Sequence, residues 1–206
     1  MRYCSNCGSD KIEFKIPADD NLKRYVCPDC GSIFYTNPNL IVGTVCIKNE
    51  EVLLCKRNIE PRFGKWTLPA GFMENAETLQ EGALRETKEE INIFKEHFSI
   101  LGNFPKFFTG TGYVVTPFLG IINSKTNWQK LLKPNLSEVE QIFFPPTNCL
   151  LLPEFHLREK PPINSSMSMT WTINYNNKNI WGLTARVLVT ISAGLGLREF
   201  PPCDDI

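Results

Sequence analysis

Residues 71–93 of this 206-residue chain, GFMENAETLQEGALRETKEEINI, contain the most informative pattern for its fold. From Thr78 to Glu90 the segment contains no proline and a single glycine, and most of its residues favour helices, so these positions predict a helix. On that helix Glu86 and Glu90 are four residues apart, and Glu89 lies three residues after Glu86. Three carboxylates therefore share one helix face.

A helix face with three carboxylates is either solvated or occupied by a cation. Two like charges about 4 Å apart repel by roughly 4 kcal/mol at an effective dielectric constant near 20. On an exposed helix the side chains move apart and the cost falls to about a few tenths of a kcal/mol, which is the ordinary interpretation of a Glu-rich helix. Here a turn with glycine precedes the helix, an aromatic loop adjoins it, and Arg85 lies within the cluster. This context favours Mg²⁺ or Mn²⁺, which prefer oxygen ligands and bridge to phosphate oxygens.

The spacing of these residues resembles the Nudix box, the signature of hydrolases that cleave a nucleoside diphosphate linked to another moiety. Gly71 is followed after five residues by Glu77 and, after seven more, by the run Arg85-Glu86-x-x-Glu89-Glu90. The resemblance is long and therefore specific.

Three positions depart from the box: Ala76 and Asn92 replace the usual glycines, and Thr87 replaces an aliphatic residue. None of these changes removes a carboxylate. Asparagine is the residue besides glycine that best tolerates a left-handed helix end, so we expect a mild effect of Asn92. We expect the Thr87 hydroxyl to affect local packing rather than chemistry.

The resemblance implies an α/β fold, the Nudix α/β/α sandwich with a mixed sheet, and a catalytic Mg²⁺ or Mn²⁺. The implied metal ligands are the carbonyl of Gly71 and the carboxylates of Glu86, Glu89 and Glu90. Arg85 is expected to orient Glu86.

The identity of the general base stays open between three carboxylates. Glu86 is one candidate, and Glu138 or Glu140 in the segment LSEVEQIFF is the other, because a downstream acidic residue often faces the metals in such proteins. Surface exposure is the ordinary alternative for both downstream residues.

Residues that bind the substrate should combine a cation for the phosphates with aromatic rings for a base. We predict that Arg57 holds a phosphate and that Trp66 and Phe72 stack on an adenine ring. Core packing is the ordinary alternative for the two aromatic residues, and solvent exposure for the arginine.

Four of the eight cysteines form two Cys-x-x-Cys pairs, each followed by glycine and separated from the other by 19 residues: Cys4/Cys7 and Cys27/Cys30. Glycine lets the chain curl so that backbone N–H groups face the thiolates. A redox pair would require a βαβ context, which this segment lacks. So short a segment cannot stabilise itself by burial, whereas a structural zinc supplies on the order of 10 kcal/mol of folding free energy. We therefore predict a structural Zn²⁺ held by four cysteines.

A turn at residues 36–39, TNPN, marks the boundary between two domains. We predict a zinc ribbon over residues 1–36 and a Nudix hydrolase domain over residues 37–206. Two expectations concern the sheet of the second domain. The apolar runs at 40–49 and 51–58 predict a hairpin, and Pro117 predicts that its strand lies at a sheet edge or contains a bulge.

The two halves of the chain resemble different branches of the family. Residues 1–93 are similar to zinc-ribbon enzymes related to NADH, ADP-ribose and FAD pyrophosphatases, whereas residues 115–188 are similar to the coenzyme A pyrophosphatase branch. After the box, the NADH branch carries a Gln-Pro-Trp-Pro-Phe run, of which residues 103–107, NFPKF, keep only a fragment. This weakens the NADH option relative to the others.

We expect a pyrophosphohydrolase that cleaves the diphosphate of a metabolite of the ADP-ribose, FAD or NADH type. One alternative is hydrolysis of coenzyme A to 3′,5′-ADP and phosphopantetheine, whose 3′-phosphate requires another basic residue such as Lys106. A second alternative is a non-catalytic sensor of ADP-ribose-like ligands, which the complete set of carboxylates disfavours.

Composition disfavours two further classes of partner. Lys+Arg 22 against Asp+Glu 22 gives a net charge of zero, so nucleic acid, including an RNA cap, is not an expected partner. The first residues lack the pattern of a signal peptide and no apolar run is long enough to cross a membrane, so we expect an intracellular, cytoplasmic protein. Related enzymes often form dimers, so a homodimer stays an option.

Overall fold

The computed structural model describes residues 1–18, 20–35, 39–60, 62–109, 112–123, 127–160 and 169–200, with the backbone alone at residues 128 and 129. The chain forms two compact units, Met1–Pro38 and Asn39–Ile206. Among the described residues, no helix is long and apolar enough to cross a membrane.

The first unit is a small antiparallel sheet in the order β1-β2-β3: β1 (Glu13–Lys15), β2 (Arg24–Val26) and β3 (Ile33–Phe34). Its core is small. Cys4 and Cys27 are buried, together with Val26 and the guanidinium-bearing side chain of Arg24, which pairs with Asp20 at 3.0 Å. The unit therefore has little apolar surface to bury apart from its cysteines.

The described residues of the second unit form two six-stranded sheets. The first consists of β4 (Leu40–Lys48), β5 (Glu51–Val52), β8 (Ala70–Phe72), β9 (Phe98–Asn103), β10 (Phe107–Phe108) and β11 (Val114–Ile122). The second consists of β6 (Leu54–Arg57), β7 (Trp66–Thr67), β12 (Val139–Phe143), β13 (His156–Glu159), β14 (Thr170–Tyr175) and β15 (Lys178–Trp181), in the order β12-β6-β7-β15-β14-β13.

The helices of this unit are α1 (Leu79–Ile91), α2 (Trp128–Leu131), α3 (Thr147–Leu151) and α4 (Leu183–Gly194). Two 3₁₀ turns cover Lys95–His97 and Pro153–Phe155. α1 packs on β4, β8 and β11 of the first sheet, and α4 packs on β14 and β15 of the second. The expected mixed α/β fold is confirmed.

The centre of the first sheet is the parallel pair β4 and β11. Both strands are rich in β-branched residues and mostly buried, as expected for a parallel pair covered on both faces. The main core contains Val45 of β4 and Val115 of β11 together with Ile173 and Ile180 of the second sheet and Leu188 of α4. Burial of each aliphatic side chain in this core contributes about 1.5–3 kcal/mol toward the stability of the second unit.

The expected hairpin at residues 40–58 is only half right. β4 does pair with β5 in antiparallel register, Ile47 opposite Val52. After Leu53 the chain leaves for the other sheet, where Cys55 of β6 lies opposite Ile142. A continuous apolar run does not encode this change, because residues buried in either sheet look alike in sequence.

Of the two alternatives expected from Pro117, the sheet edge is wrong, because β11 has neighbours on both sides. The bulge is closer to the structure, since the register of β11 with β9 shifts between Leu119 and Gly120. On one flank it pairs with β4, Pro117 opposite Gly43. On the other flank β10 and β9 follow one another, and Phe104 between them donates its N–H to the Pro117 carbonyl at 2.9 Å. In a strand the N and O atoms of one residue point to the same flank, so the missing N–H of Pro117 falls in the gap between β10 and β9 and leaves no ladder bond unmade.

Candidate active site

Helix α1 begins and ends with side chains that fix its limits. Thr78 and Glu81 form a complete capping box: the Thr78 hydroxyl accepts from the Glu81 N–H, and the Glu81 carboxylate accepts from the Thr78 N–H. At the other end Asn92 adopts the left-handed conformation, with φ 61°, and donates through its amide to the Leu131 carbonyl at 2.8 Å. The expected mild effect of Asn92 fits this geometry, and the helix carries its carboxylates at fixed positions.

Arg85 organises the acidic face of α1. Its Nε and Nη2 bind both oxygens of Glu77 at 3.0 and 2.8 Å. Its Nη1 donates to Glu86 at 2.7 Å and to Glu89 at 3.0 Å, and Nη2 also donates to the Phe72 carbonyl at 2.8 Å. The guanidinium thus holds three carboxylates and the preceding strand together, and its fork lowers the pKa of Glu77.

Two of the carboxylates are almost fully withdrawn from water. Glu86 is 8% exposed and Glu90 is 5% exposed. Burial raises the pKa of Glu86 to about 7, against the opposing effect of Arg85, and the charges of Glu89 and Glu138 raise it further. Burial together with the charges of Glu86 and Glu138 raises the pKa of Glu90 to about 8. In the protein alone these charges repel one another in a site of low polarity.

The strand before the helix lies directly against these carboxylates. In β8, Gly71 pairs with Val42 of β4, and a Cβ built on Gly71 would lie 2.2 Å from Oε2 of Glu86. The N–H of Ala70 donates to the Glu90 carboxylate. A side chain at position 71 would therefore displace the Glu86 carboxylate, which lies directly against the backbone of Gly71.

The oxygen atoms of this site suit a divalent cation that prefers oxygen ligands. The pKa of Glu86 and of Glu90 is raised first by burial and then by neighbouring negative charges, so a positive ion beside the Gly71 backbone would stabilise the ionised carboxylates. Gly71, Glu86, Glu89 and Glu90 are the residues that would hold Mg²⁺ or Mn²⁺.

The two downstream carboxylates differ in their surroundings. Glu138 lies near enough to Glu86 and Glu90 for its charge to raise the pKa of both. Glu140 is exposed and pairs with Lys56 at 2.9 Å. Of these two, Glu138 is therefore the one whose charge acts on the buried carboxylates.

The three expected substrate-binding residues occupy different environments. Arg57 ends β6, and its charge lowers the pKa of Glu90, so it lies beside the acidic cluster. Phe72 is 44% exposed, and its ring centroid lies 5.2 Å from that of Tyr113. Trp66 is only 5% exposed and packs in the core against Phe143 at 5.1 Å, so it presents little surface to a ligand.

Sequence reasoning assigned no role to Glu77 or Tyr113, which the structure places beside the cluster. Glu77 could have been found, because it occupies a fixed position in the box. Tyr113 gives no local signal, because it meets Phe72 only through the register of β8, β4 and β11.

Two departures from the box have physical consequences. Ala76 adopts φ 70°, a left-handed conformation that favours glycine. Thr87 is fully buried, as its expected core-facing position requires, and its hydroxyl is hydrogen-bonded to the Ala83 carbonyl at 2.7 Å.

The first unit brings its four cysteines together: the sulfur atoms of Cys4, Cys7, Cys27 and Cys30 all lie within 4.8 Å of one another. The two cross-pairs, Cys4 with Cys30 and Cys7 with Cys27, are 3.6 Å apart. Four sulfurs bound tetrahedrally at about 2.3 Å from Zn²⁺ lie about 3.8 Å from one another, so the cluster has the dimensions of a zinc site.

The two Cys-x-x-Cys-Gly turns, which we call knuckles, have the same backbone geometry. The N–H of Gly8 donates to the Cys4 carbonyl and that of Gly31 to the Cys27 carbonyl, both at 2.9 Å. Gly8 has φ 78° and Gly31 has φ 72°, so both turns require the left-handed conformation. The sequence expectation of two glycine-closed knuckles is confirmed.

Both units match family models. The model described as NUDIX domain matches residues 38–164, and the model described as Nudix N-terminal, a zinc ribbon, matches residues 2–36. The chain is 28% identical over 155 residues to an uncharacterized Nudix hydrolase, NudL, of Pectobacterium atrosepticum, covering 72% of this chain and 77% of that protein. It is 25% identical over 189 residues to NudL of Yersinia pestis, covering 87% and 88%. A solved NUDIX hydrolase from Nitrosomonas europaea is 39% identical and covers 71% of this chain and 78% of that chain, with a TM-score of 0.47.

Proposed function

This chain belongs to the Nudix hydrolases, which act on diphosphate bonds, and we propose that it cleaves the diphosphate of a nucleoside diphosphate-linked metabolite of the ADP-ribose, FAD or NADH type. The observation that carries the proposal is the cluster in which Arg85 joins Glu77, Glu86 and Glu89 beside the buried Glu90. When bound there, Mg²⁺ or Mn²⁺ supplies neutralising charge for the diphosphate and for the leaving phosphate.

The protein contributes fixed positions for the groups around the reacting bond. Arg85 holds Glu86 at 2.7 Å and anchors the carbonyl of Phe72, so the carboxylate and the strand of Gly71 keep one geometry. This removes the reorganisation that flexible carboxylates would require during the reaction.

Glu86 and Glu138 are the proposed candidates for the general base. The pKa of Glu86 is raised to about 7 in the protein alone, and its carboxylate is in direct contact with Arg85. The charge of Glu138 acts on the same buried groups, Glu86 and Glu90. Glu140 is the weaker alternative because it pairs with Lys56 at the surface.

Substrate binding is proposed to involve Arg57 and Phe72. Arg57 adds positive charge beside Glu90, where the phosphates would lie. Phe72 offers an exposed ring next to Gly71 and pairs with Tyr113, so a base can stack on this side of the metal ligands. The burial of Trp66 supports a packing role over stacking.

The test is the turnover of Glu89→Gln and Glu90→Gln with Mg²⁺ on ADP-ribose. Both variants should lose activity by about 100-fold or more, because each removes one charge from the metal site. Glu96→Gln, the same change at an exposed residue of the following 3₁₀ turn, is the matched control and should keep full activity. Full activity in both site variants would refute the proposal, and tight binding of ADP-ribose without any product would indicate a sensor.

Coenzyme A is the second candidate substrate, supported by the resemblance of residues 115–188 to the coenzyme A pyrophosphatase branch. Wild-type protein should be incubated with Mg²⁺ and, in parallel, with ADP-ribose, NADH, FAD and coenzyme A. AMP from one of the first three favours the leading proposal. Release of 3′,5′-ADP and phosphopantetheine from coenzyme A alone would favour the alternative.

A further inference from the structure

A chain of buried hydrogen bonds connects helix α1 to strand β4. The hydroxyl oxygens of Thr87 and Thr44 are 2.7 Å apart, and the Thr44 oxygen lies 3.1 Å from the sulfur of Cys46. All three residues are 0% exposed. The chain ends on the helix backbone, at the Ala83 carbonyl.

The chemistry of the end groups fixes the direction of every bond. The Ala83 carbonyl only accepts, so the Thr87 hydroxyl donates to it. Thr44 must then donate to Thr87, and the Cys46 thiol must donate to Thr44. Burial raises the pKa of Cys46 to about 12, so its thiol keeps the proton that it donates. Each hydroxyl in this buried chain is therefore satisfied.

Thr44 also holds the strand that carries Gly71. Its backbone N–H donates to the Pro69 carbonyl at 3.0 Å. One residue earlier, Gly43 pairs with Ala70 so closely that a Cβ on Gly43 would lie 2.5 Å from the Ala70 side chain. A single residue of β4 thus contacts both parts of the acidic site, the helix through its side chain and the Pro69–Gly71 segment through its backbone.

We propose that Thr44 is a positioning residue that sets the spacing between the carboxylates of α1 and the carbonyl of Gly71. The inference rests on the proposed metal site formed by Gly71, Glu86, Glu89 and Glu90. Thr87 lies one residue after Glu86 and three before Glu90, so a shift of α1 at Thr87 moves both buried carboxylates.

A hydrogen bond holds the two elements closer than apolar packing does. The oxygens of Thr44 and Thr87 are 2.7 Å apart, whereas carbon atoms in contact are separated by about 3.5–4.0 Å. Two valines at these positions would therefore move the helix outward by about 1 Å, enough to change metal affinity and turnover strongly.

The experiment measures Mn²⁺ affinity and stability separately in zinc-loaded full-length protein. Mn²⁺ dissociation constants come from the EPR signal of free Mn²⁺, and stability comes from urea unfolding. The first variant is Thr44→Val/Thr87→Val, which removes both hydroxyls and leaves only the weak thiol donor of Cys46 without its acceptor. The second is Thr44→Ser, which keeps the hydroxyl but loses a buried methyl group.

The proposal expects the two measurements to separate. The double valine variant should keep most of the wild-type stability yet bind Mn²⁺ about tenfold more weakly. Thr44→Ser should be less stable than wild type yet bind Mn²⁺ within about twofold of it. A role in folding alone would make the Mn²⁺ constant follow stability, and that result would overturn the inference.

Two controls make the outcomes distinguishable. Thr172→Val removes a fully buried hydroxyl from β14 that has no hydrogen-bond partner among the described residues, and it should leave the Mn²⁺ constant unchanged. Glu90→Gln should weaken Mn²⁺ binding in the proposed site. If it does not, the proposed site is refuted, whereas an unchanged constant in the double valine variant refutes the role of Thr44 alone.

Discussion

The four-cysteine cluster of the first unit and the carboxylate face of α1 relate to the fold in opposite ways. In the first unit five of the described residues are buried, and two of them are cysteines of the cluster: Cys4, Pro17, Arg24, Val26 and Cys27. In the second unit the carboxylates of Glu86 and Glu90 lie on a helix that the core of two sheets already supports. We therefore expect the first unit to depend on its cation for folding and the second unit to fold without one.

The thiolates and the carboxylates are brought together by different forces. Thiolates in a small unit come together because zinc binding supplies the folding free energy. The carboxylates are held together by packing and by Arg85, and their burial, together with the neighbouring negative charges, raises the pKa of both buried residues. Removing the metal should therefore unfold the first unit and only strain the second.

The largest effect is expected from removal of zinc. Cys27→Ser should cost the first unit on the order of 10 kcal/mol of folding free energy, because Cys27 is fully buried and its thiolate is one of four ligands. Loss of dispersed NMR signals from residues 1–36, with the thermal transition of the second unit retained, is the expected observation. Cys149→Ser, outside the cluster, is the control. A ribbon that stays folded without zinc would end the contrast between the two sites.

The second largest effect is expected from a change at Arg85, the cationic side chain on the acidic face of α1. Arg85→Lys keeps the charge but cannot form the fork with Glu77 or bridge Glu86 to Glu89. We expect turnover to fall by about 100-fold and stability by about 3 kcal/mol, measured by steady-state kinetics and urea unfolding. Lys56→Gln, which breaks the surface pair with Glu140, should change stability by less than about 1 kcal/mol. Equal effects of the two changes would show that Arg85 is only a surface partner.

The strain in the second unit should also be visible as a pH dependence of stability without divalent cations. The pKa values of Glu86 and Glu90 are raised from 4.5 to about 7 and about 8. Between pH 4.5 and about 8 the folded protein holds more protons than the unfolded chain, so stability falls as the pH rises through this window.

We expect the melting temperature of the metal-free second unit to fall by several degrees between pH 5 and 8, and Mg²⁺ to reverse the loss mainly at the upper end. Calorimetry at a series of pH values checks this. Glu90→Gln should flatten the slope, and an unchanged slope in that variant would show that the buried carboxylates do not cause it.

Local sequence was sufficient where the interaction is local. The Cys-x-x-Cys spacing, the helix from Thr78 and the left-handed end at Asn92 depend on residues a few positions apart, and each of these expectations matches the structure. The contact of Arg85 with Glu89 follows from their i, i+4 helix spacing, whereas the expectation that Arg85 orients Glu86 came from the resemblance to the Nudix box.

The remainder depends on contacts distant in sequence. The pairing of Phe72 with Tyr113 and of Thr44 with Thr87 requires the register of β4, β8 and β11, which the sequence alone does not specify. Trp66 is a further example, because an aromatic residue near the box is compatible with either stacking on a ligand or packing in the core. Only the contact with Phe143 in the second sheet shows that Trp66 is buried.

The smallest effect tests backbone strain at the entrance of the carboxylate helix. Ala76 has φ 70°, which costs an alanine about 1 kcal/mol or more relative to glycine. Ala76→Gly should therefore raise the free energy of unfolding by about 0.5–1 kcal/mol despite the greater freedom of glycine in the unfolded chain. Asn92→Gly is the matched comparison, because it relieves a similar φ of 61° but loses the amide bond to Leu131. It should not stabilise, since asparagine already tolerates the left-handed conformation, and a gain at Asn92 as large as that at Ala76 would mean that side-chain identity does not control strain at this helix.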